Sequence, residues 1–185
     1  MALALLGSLA QSPTDPVPID AGKAMRSVGV ALVLGARLLL AGPAAAADEF
    51  ARGLSAYNAA DYESAFDAWY PLADENDPKA QAAIAFLYLK GLGVQQDDAR
   101  AADWYRRAAR LGRPEAQFFL GSLYYLGRGV PQSDQLAHVW CEIALAGGMT
   151  AGLDCRDAAS ARMTRADVRE AYRMAAEWLG SHSAP

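Results

Sequence analysis

A block of 36 residues recurs three times along the middle of the chain, and that period limits the fold more than any other feature. The copies begin at Asp61, Asp97 and Ser133. Adding 36 carries Ala65 to Ala101 to Ala137, and Leu72 to Ala108 to Ala144. The same step carries Ala80 to Ala116, Tyr88 to Tyr124, Gly91 to Gly127, Gly93 to Gly129 and Val94 to Val130. Self-similarity at such a period means a stacked-repeat architecture in which each unit buries its apolar face only against a neighbour. Such chains work by surface rather than by reaction.

Each unit reads as two helices. In the second copy Ala101, Trp104, Tyr105, Ala108 and Ala109 fall at three- and four-residue steps, a helical stripe rather than a strand alternation. A second stripe runs through Ala116, Phe119, Leu120, Leu123 and Tyr124 after Pro114, and Pro78 opens the matching helix of the first copy. Asp61, Asp97 and Ser133 stand where an N-cap oxygen would accept from a first-turn N–H. The glycine pairs 91/93 and 127/129 supply the positive φ that ends the second helix. No strand precedes them and neither matches a phosphate-binding loop, so they read as turns between repeats. The expected fold is therefore all-α, a superhelix of antiparallel hairpins over residues 48–180. Its repeats span about 61–96, 97–132 and 133–163, with a helix at 164–179 capping the end and a tail at 181–185. A helix from Glu49 to Ala59 (Phe50, Gly53, Leu54, Tyr57) covers the first hairpin. The last helix, entered through the Thr164–Asp167 capping box, turns Val168, Ala171, Tyr172, Ala175, Trp178 and Leu179 inward.

The in-register signature is an acidic cap, alanine four residues on, W-Y-x-x-A-A, then A-x-x-x-L-G-x-x-Y-x-x-G-x-G-V. The second copy carries nearly all of it: Asp97, Ala101, Trp104, Tyr105, Ala108, Ala109, Gly112, Ala116, Leu120, Gly121, Tyr124, Gly127, Gly129 and Val130. This pattern resembles the Sel-one-like repeat, a relative of the tetratricopeptide repeat, over about Phe50 to Leu179. The first copy departs at Ala68 and Asn76. The third departs at Ser133 and Gly152 and loses the final glycines, as degraded end units do.

The resemblance implies a non-enzymatic module that binds a protein or peptide partner in a groove lined by the first helix of each hairpin. Outward positions on those helices are Asp67, Tyr70, Asp103, Arg106 and Glu142. It also implies two alternatives. Some cysteine-rich relatives are associated with β-lactam binding and hydrolysis, and others hold a membrane sensor inactive in the periplasm.

Met25 and Arg26, the apolar run 27–40 and the sequence Pro43-Ala44-Ala45-Ala46-Ala47 describe a secretory signal at 25–47, cleaved before Asp48. Arg37 interrupts the apolar run and also weakens the alternative of an uncleaved membrane anchor. Residues 1–24 read as a disordered leader or a start placed upstream of Met25. Export implies a periplasmic or secreted chain, with no span in the mature form, acting as a monomer. The formal net charge of −4 stays negative once Lys23, Arg26, Arg37, Asp15 and Asp20 are removed. An acidic domain makes a poor nucleic-acid binder. The arginines at 100, 106, 107, 110 and 113 lie among Asp97, Asp98, Asp103 and Glu115, which describes a solvated, salt-bridged helix.

Cys141 and Cys155 are the only cysteines, and each lies seven residues from Gly148, where the third hairpin turns. Antiparallel helices place such positions opposite one another. Two outcomes stay open: a disulfide, which an oxidising compartment preserves, or two small buried thiols. His138 and His182 are the only histidines. With no nucleophile or orienting carboxylate near it in sequence, His138 reads as a helix-contact imidazole. No catalytic, cofactor or metal set is expected, since G-x-S-x-G, S-x-x-K and close zinc-ligand spacing are all missing. Asp74-Glu75-Asn76-Asp77 lacks the calcium-loop pattern and reads as an interhelix turn.

Overall fold

The first described helix, α1 (Pro43–Asn58), is followed by three hairpins and a long helix. The hairpins are α2 (Tyr62–Asp74) with α3 (Pro78–Lys90), α4 (Asp98–Arg110) with α5 (Pro114–Leu126), and α6 (Asp134–Ala146) with α7 (Gly152–Ser160); α8 is Arg165–His182. The computed structural model describes residues 43–182, with side chains from residue 46, and no strand occurs among them. Each helix from α1 to α6 packs on the next in the chain, α5 also touches α7, and α8 returns to lie on α6. This is the expected solenoid of antiparallel helix pairs. The readings of residues 1–42 and 183–185 lie outside the described residues.

The caps sit where the residue types place them. Asp61 accepts from Ser64 N–H at 3.2 Å, Asp97 from Arg100 N–H at 2.9 Å and Ser133 from Leu136 N–H at 3.2 Å. Pro78 and Pro114 open α3 and α5, and Gly91 and Gly127 close them in the left-handed region. The turn inside each hairpin also repeats: Asn76, Gly112 and Gly148, 36 residues apart, have φ of 67°, 80° and 92°. Asn76 adopts the glycine conformation because a short polar side chain tolerates it. Pro71 lies inside α2 and removes one helix donor, yet the helix runs on to Asp74.

The seams between helices are built from alanine. Ala65, Ala101, Ala137, Ala80 and Ala116 are all fully buried, so backbones approach closely along every hairpin. Tyr105, Ile84, Leu87, Leu120 and Ile143 fill the remaining volume. Each such side chain contributes about 1.5–3 kcal/mol on burial. Trp69 fits a slot left by Gly53 of α1, where a Cβ would come within 2.2 Å of the indole, and its Nε1–H donates to Phe50 O at 3.1 Å. Fixing α1 to the first hairpin depends on that slot.

Several expectations are corrected. α1 starts at Pro43 rather than Glu49. Leu54 is 45% exposed; among the described helices α1 packs chiefly on α2. Trp104 is only half-buried, while Ala102, outside the expected stripe, is fully buried. Tyr172 is 41% exposed: α8 packs chiefly on α6, where the ring meets His138 edge-on at 4.6 Å between centroids. The third hairpin is shorter, with nine residues in α7 against thirteen in α3 and α5, and α7 has no side-chain N-cap bond.

Candidate protein-binding face

The outward positions of the first helices occupy two repeat-equivalent sets, 67/103/139 and 70/106/142. On α2, Asp67 is exposed, and partial desolvation together with Glu63 and Asp61 pushes its carboxyl above the usual range. Tyr70 is 40% exposed. Its ring stacks on Phe66 (5.4 Å) and meets Trp104 of the next hairpin edge-on at 5.9 Å. On α4, Asp103 pairs with Arg106. Burial works against the Arg106 charge, but bonding to Tyr124 and Asp103 more than offsets it. Tyr70 and Trp104 thus join α2 and α4 into one half-exposed aromatic and charged face.

The third set behaves differently. Glu142 accepts from Arg156 of α7 at 3.1 Å, both groups being half-buried, and Arg156 also holds Asp157 at 2.7 Å. Glu142 therefore belongs to the α6–α7 seam and lies apart from the α2–α4 face. Val139, the equivalent of Asp67 and Asp103, is buried with Ile143 beneath Ala171 and Ala175 of α8, and Trp140 meets Trp178 at 5.9 Å. On α6 the terminal helix covers the face that stays open on α2 and α4. Sequence reading missed this difference, although Val139 and Ile143 standing where Asp103 and Arg107 stand was its visible signal. It also missed Arg107, whose guanidinium lies 4.5 Å over Trp104.

Sequence reading missed a ladder of glutamines as well. Gln81 and Gln117, 36 residues apart and buried, donate to the carbonyls of Ala73 and Ala109 at 3.0 and 3.1 Å. Gln96 and Gln132 do the same to Leu89 and Tyr125, both at 3.2 Å. These bonds satisfy helix-end carbonyls that have no partner inside their own helix.

Cys141 and Cys155 form a disulfide joining α6 to α7, with Cα atoms 5.9 Å apart. One turn away His138 is fully buried, with Nδ1 at 2.8 Å from Ser160 Oγ. That hydroxyl donates to Arg156 O at 2.8 Å, so the imidazole is the donor to it and Nε2 carries no hydrogen. The serine proton is thus committed to a carbonyl, the opposite of a base activating a nucleophile. Nε2 is buried with no partner among the described residues, and burial holds the imidazole below its ordinary pKa. Among the described residues no three His, Cys, Asp or Glu side chains gather to hold a metal ion. No described helix is long and apolar enough to cross a membrane.

Stacked helix pairs with an open first-helix face define a helical-repeat interaction scaffold. The Sel1 repeat family model matches residues 78–112 and 114–149, each match taking the second helix of one hairpin with the first of the next. The crystal structure of a Sel1 repeat protein from Oxalobacter formigenes is similar at 32% identity and TM-score 0.55, over 60% of this chain and 88% of that one. The chain belongs to the Sel1 repeat family. A second similar structure is c5321, a protective antigen present in uropathogenic Escherichia coli strains that displays an SLR fold. It shares 25% identity at TM-score 0.71, over 75% of this chain. The chain spans only 30% of that antigen's length. No curated protein matches the chain. Sel1 repeats are in general non-catalytic protein-binding scaffolds, and nothing in this chain shows an enzymatic activity.

Proposed function

We propose that the chain is an exported adaptor that captures a protein or peptide partner on the face shared by α2 and α4. The observation that carries this reading is the contrast along the repeat. Tyr70, Trp104, Asp103 and Arg106 are left at least partly exposed and joined across two hairpins, whereas on α6 the terminal helix covers Val139 and Trp140 and Arg156 of α7 holds Glu142. Aromatic and arginine groups with polar neighbours are the residue types that dominate interaction hot spots. The segment 25–47 supports export, and the Cys141–Cys155 bridge suits an oxidising compartment. The adaptor acts as a monomer, and regulation of a membrane sensor is one form its capture could take.

The test is affinity capture from an envelope extract with purified residues 48–185, read by quantitative mass spectrometry. A variant with Asp67, Tyr70, Asp103 and Arg106 changed to alanine should lose the captured partner. Unchanged capture rejects the α2–α4 face. The β-lactam-directed reading keeps one disulfide in its support but finds no S-x-x-K motif in the sequence, so it is not adopted; nitrocefin turnover by the same protein would reverse that choice.

A further inference from the structure

In two of the three hairpins the acids around the first helix are held by cations. At α4, Asp97 pairs with Arg100 at 3.3 Å and Asp103 with Arg106; at α6, Glu142 pairs with Arg156 at 3.1 Å and Asp134 with Arg162 at 3.3 Å. Helix α2 differs. Glu63, Asp67 and Asp74 are exposed, and none of them has an ion pair among the described residues. Arg100 and Arg107 of α4 act on the Tyr70 hydroxyl, whereas the charges acting on Asp67 are those of Glu63 and Asp61. Asp74 ends α2, whose last turn has no basic residue, and the dipole at that carbonyl end favours a cation.

Glu63, Asp67, Tyr70 and Asp74 are spaced four, three and four residues apart, so they form one stripe along α2. Two small residues border it. Ala68 and Pro71, both partly exposed, stand where α6 has Trp140 and Ile143, and Asp67 stands where α6 has Val139. On α6 that set is covered by a helix: Ala171 and Ala175 of α8 lie over Val139 and Ile143, and Trp178 meets Trp140 at 5.9 Å. The chain itself therefore shows what a first-helix face accepts, a second helix laid along it. On α2 the same place is left exposed, with an acid in place of Val139 and further acids on either side.

We propose that α2 receives a basic amphipathic helix of the partner, laid along it as α8 is laid along α6. Small residues of that helix rest on Ala68 and Pro71. Its lysine or arginine side chains, at three- and four-residue steps, meet Glu63, Asp67 and Asp74, and their aliphatic stems cover the exposed part of Tyr70. Like charges one turn apart on a helix repel, so a cationic helix relieves the stripe and an acidic one worsens it. The proposal rests on the interaction-module reading and adds to it the chemistry of the partner.

The probe is a fluorescein-labelled peptide as long as α8, 18 residues, built from alanine, leucine and lysine with its lysines on one helical stripe. Its control has the same composition with the lysines spread around the helix. Binding to the purified chain is read by anisotropy at low ionic strength, where exposed charge pairs are least screened. The striped peptide should bind about tenfold more tightly than its control, the scale of two or three exposed charge pairs. Asp67→Asn with Asp74→Asn should abolish that preference, while Asp154→Asn, at an exposed acid of α7, should leave it. All three positions are exposed, so circular dichroism should show an unchanged fold. Equal binding of the two peptides, a preference that survives the double variant, or no binding of either overturns the proposal. If envelope capture is nevertheless lost in the alanine variant of the α2–α4 face, that face stands and only the basic-helix occupant falls. Should the alanine variant keep its partner, the capture reading falls whatever the peptides do.

Discussion

Gly121 of α5 lies so close to Cys141 of α6 that a Cβ on it would stand 2.4 Å from the Cys141 sulfur. The sulfur cannot swing aside because it is bonded to Cys155. In the first repeat the equivalent residue is Ala85, fully buried, so the position accepts a Cβ where no disulfide stands across from it. Gly121→Ala should therefore destabilise the chain by about 1–3 kcal/mol, the usual cost of overpacking. Cys141→Ala in the same chain should recover part of that loss. Chemical denaturation of the four members of the double-mutant cycle measures the coupling, and strictly additive effects would contradict the contact.

The disulfide closes a loop between residues 14 apart in sequence. Chain entropy alone gives a loop of that size about 3 kcal/mol. Reduction, or Cys141→Ala with Cys155→Ala, should cost about 2–4 kcal/mol. The loss should fall on α7, which is short and lacks a side-chain N-cap bond. Amide exchange of residues 152–160 with and without reductant checks this; equal protection would show that α7 is held by other contacts.

His138 makes stability depend on pH. Its imidazole faces Glu142 on its own helix, Arg156, Asp157 and Ser160 on α7, and Tyr172 on α8, and burial lowers its pKa. A base with a depressed folded pKa binds its proton more readily in the unfolded chain, so stability is present above the ordinary histidine value of about 6.5 and declines as pH falls below it. Thermal unfolding between pH 8 and 5 should show the midpoint dropping on the acid side. His138→Gln should flatten that slope, while an unaltered slope would place its origin in other groups.

Gln81 and Gln117 each satisfy a buried helix-end carbonyl. Ala109 O also accepts from Gly112 N–H at 3.0 Å, as Ala73 O does from Asn76 N–H at 3.1 Å. Gln117→Ala therefore removes one of two donors and should cost about 0.5–1.5 kcal/mol, the net worth of one hydrogen bond. Gln81→Ala should do the same at Ala73. By contrast, exposed Gln132→Ala should cost well under either, since water can replace its bond. Urea midpoints of the three variants give the comparison.

Tyr105 is buried, its hydroxyl finds no partner among the described residues, and burial pushes the phenol well above its usual pKa. Its ring stacks on Phe119 at 5.1 Å, so the apolar part of the side chain carries its contribution. Tyr105→Phe keeps the ring and removes an unmet donor, and should leave the melting temperature equal or higher. A clear drop would reveal a bond to the hydroxyl.

The helical hairpins were legible before any coordinates because their causes are local. Caps at Asp61, Asp97 and Ser133, prolines at 78 and 114 and glycines at 91 and 127 act within one or two turns of chain, and the 36-residue step aligns them. The alanine seams were legible for the same reason, since residues at fixed helical steps share a face whatever packs on it. Positions such as Leu54 and Tyr172 misled because their exposure depends on which neighbour is present, and α1 and α8 stand at the two ends of the described stack.

The candidate faces were legible only in part. Outward residues on α2 and α4 could be picked from the period, but Glu142 could not be separated from them until Arg156 of α7 was seen to hold it. Composition and period determined the class of protein: a stack of helix pairs rich in alanine and aromatics. Tertiary structure alone decided that α8 folds back over α6 and that Ser160 meets His138. The physical reason is range. Backbone caps and helical stripes act between neighbours in sequence, whereas a binding surface is whatever distant contacts leave uncovered.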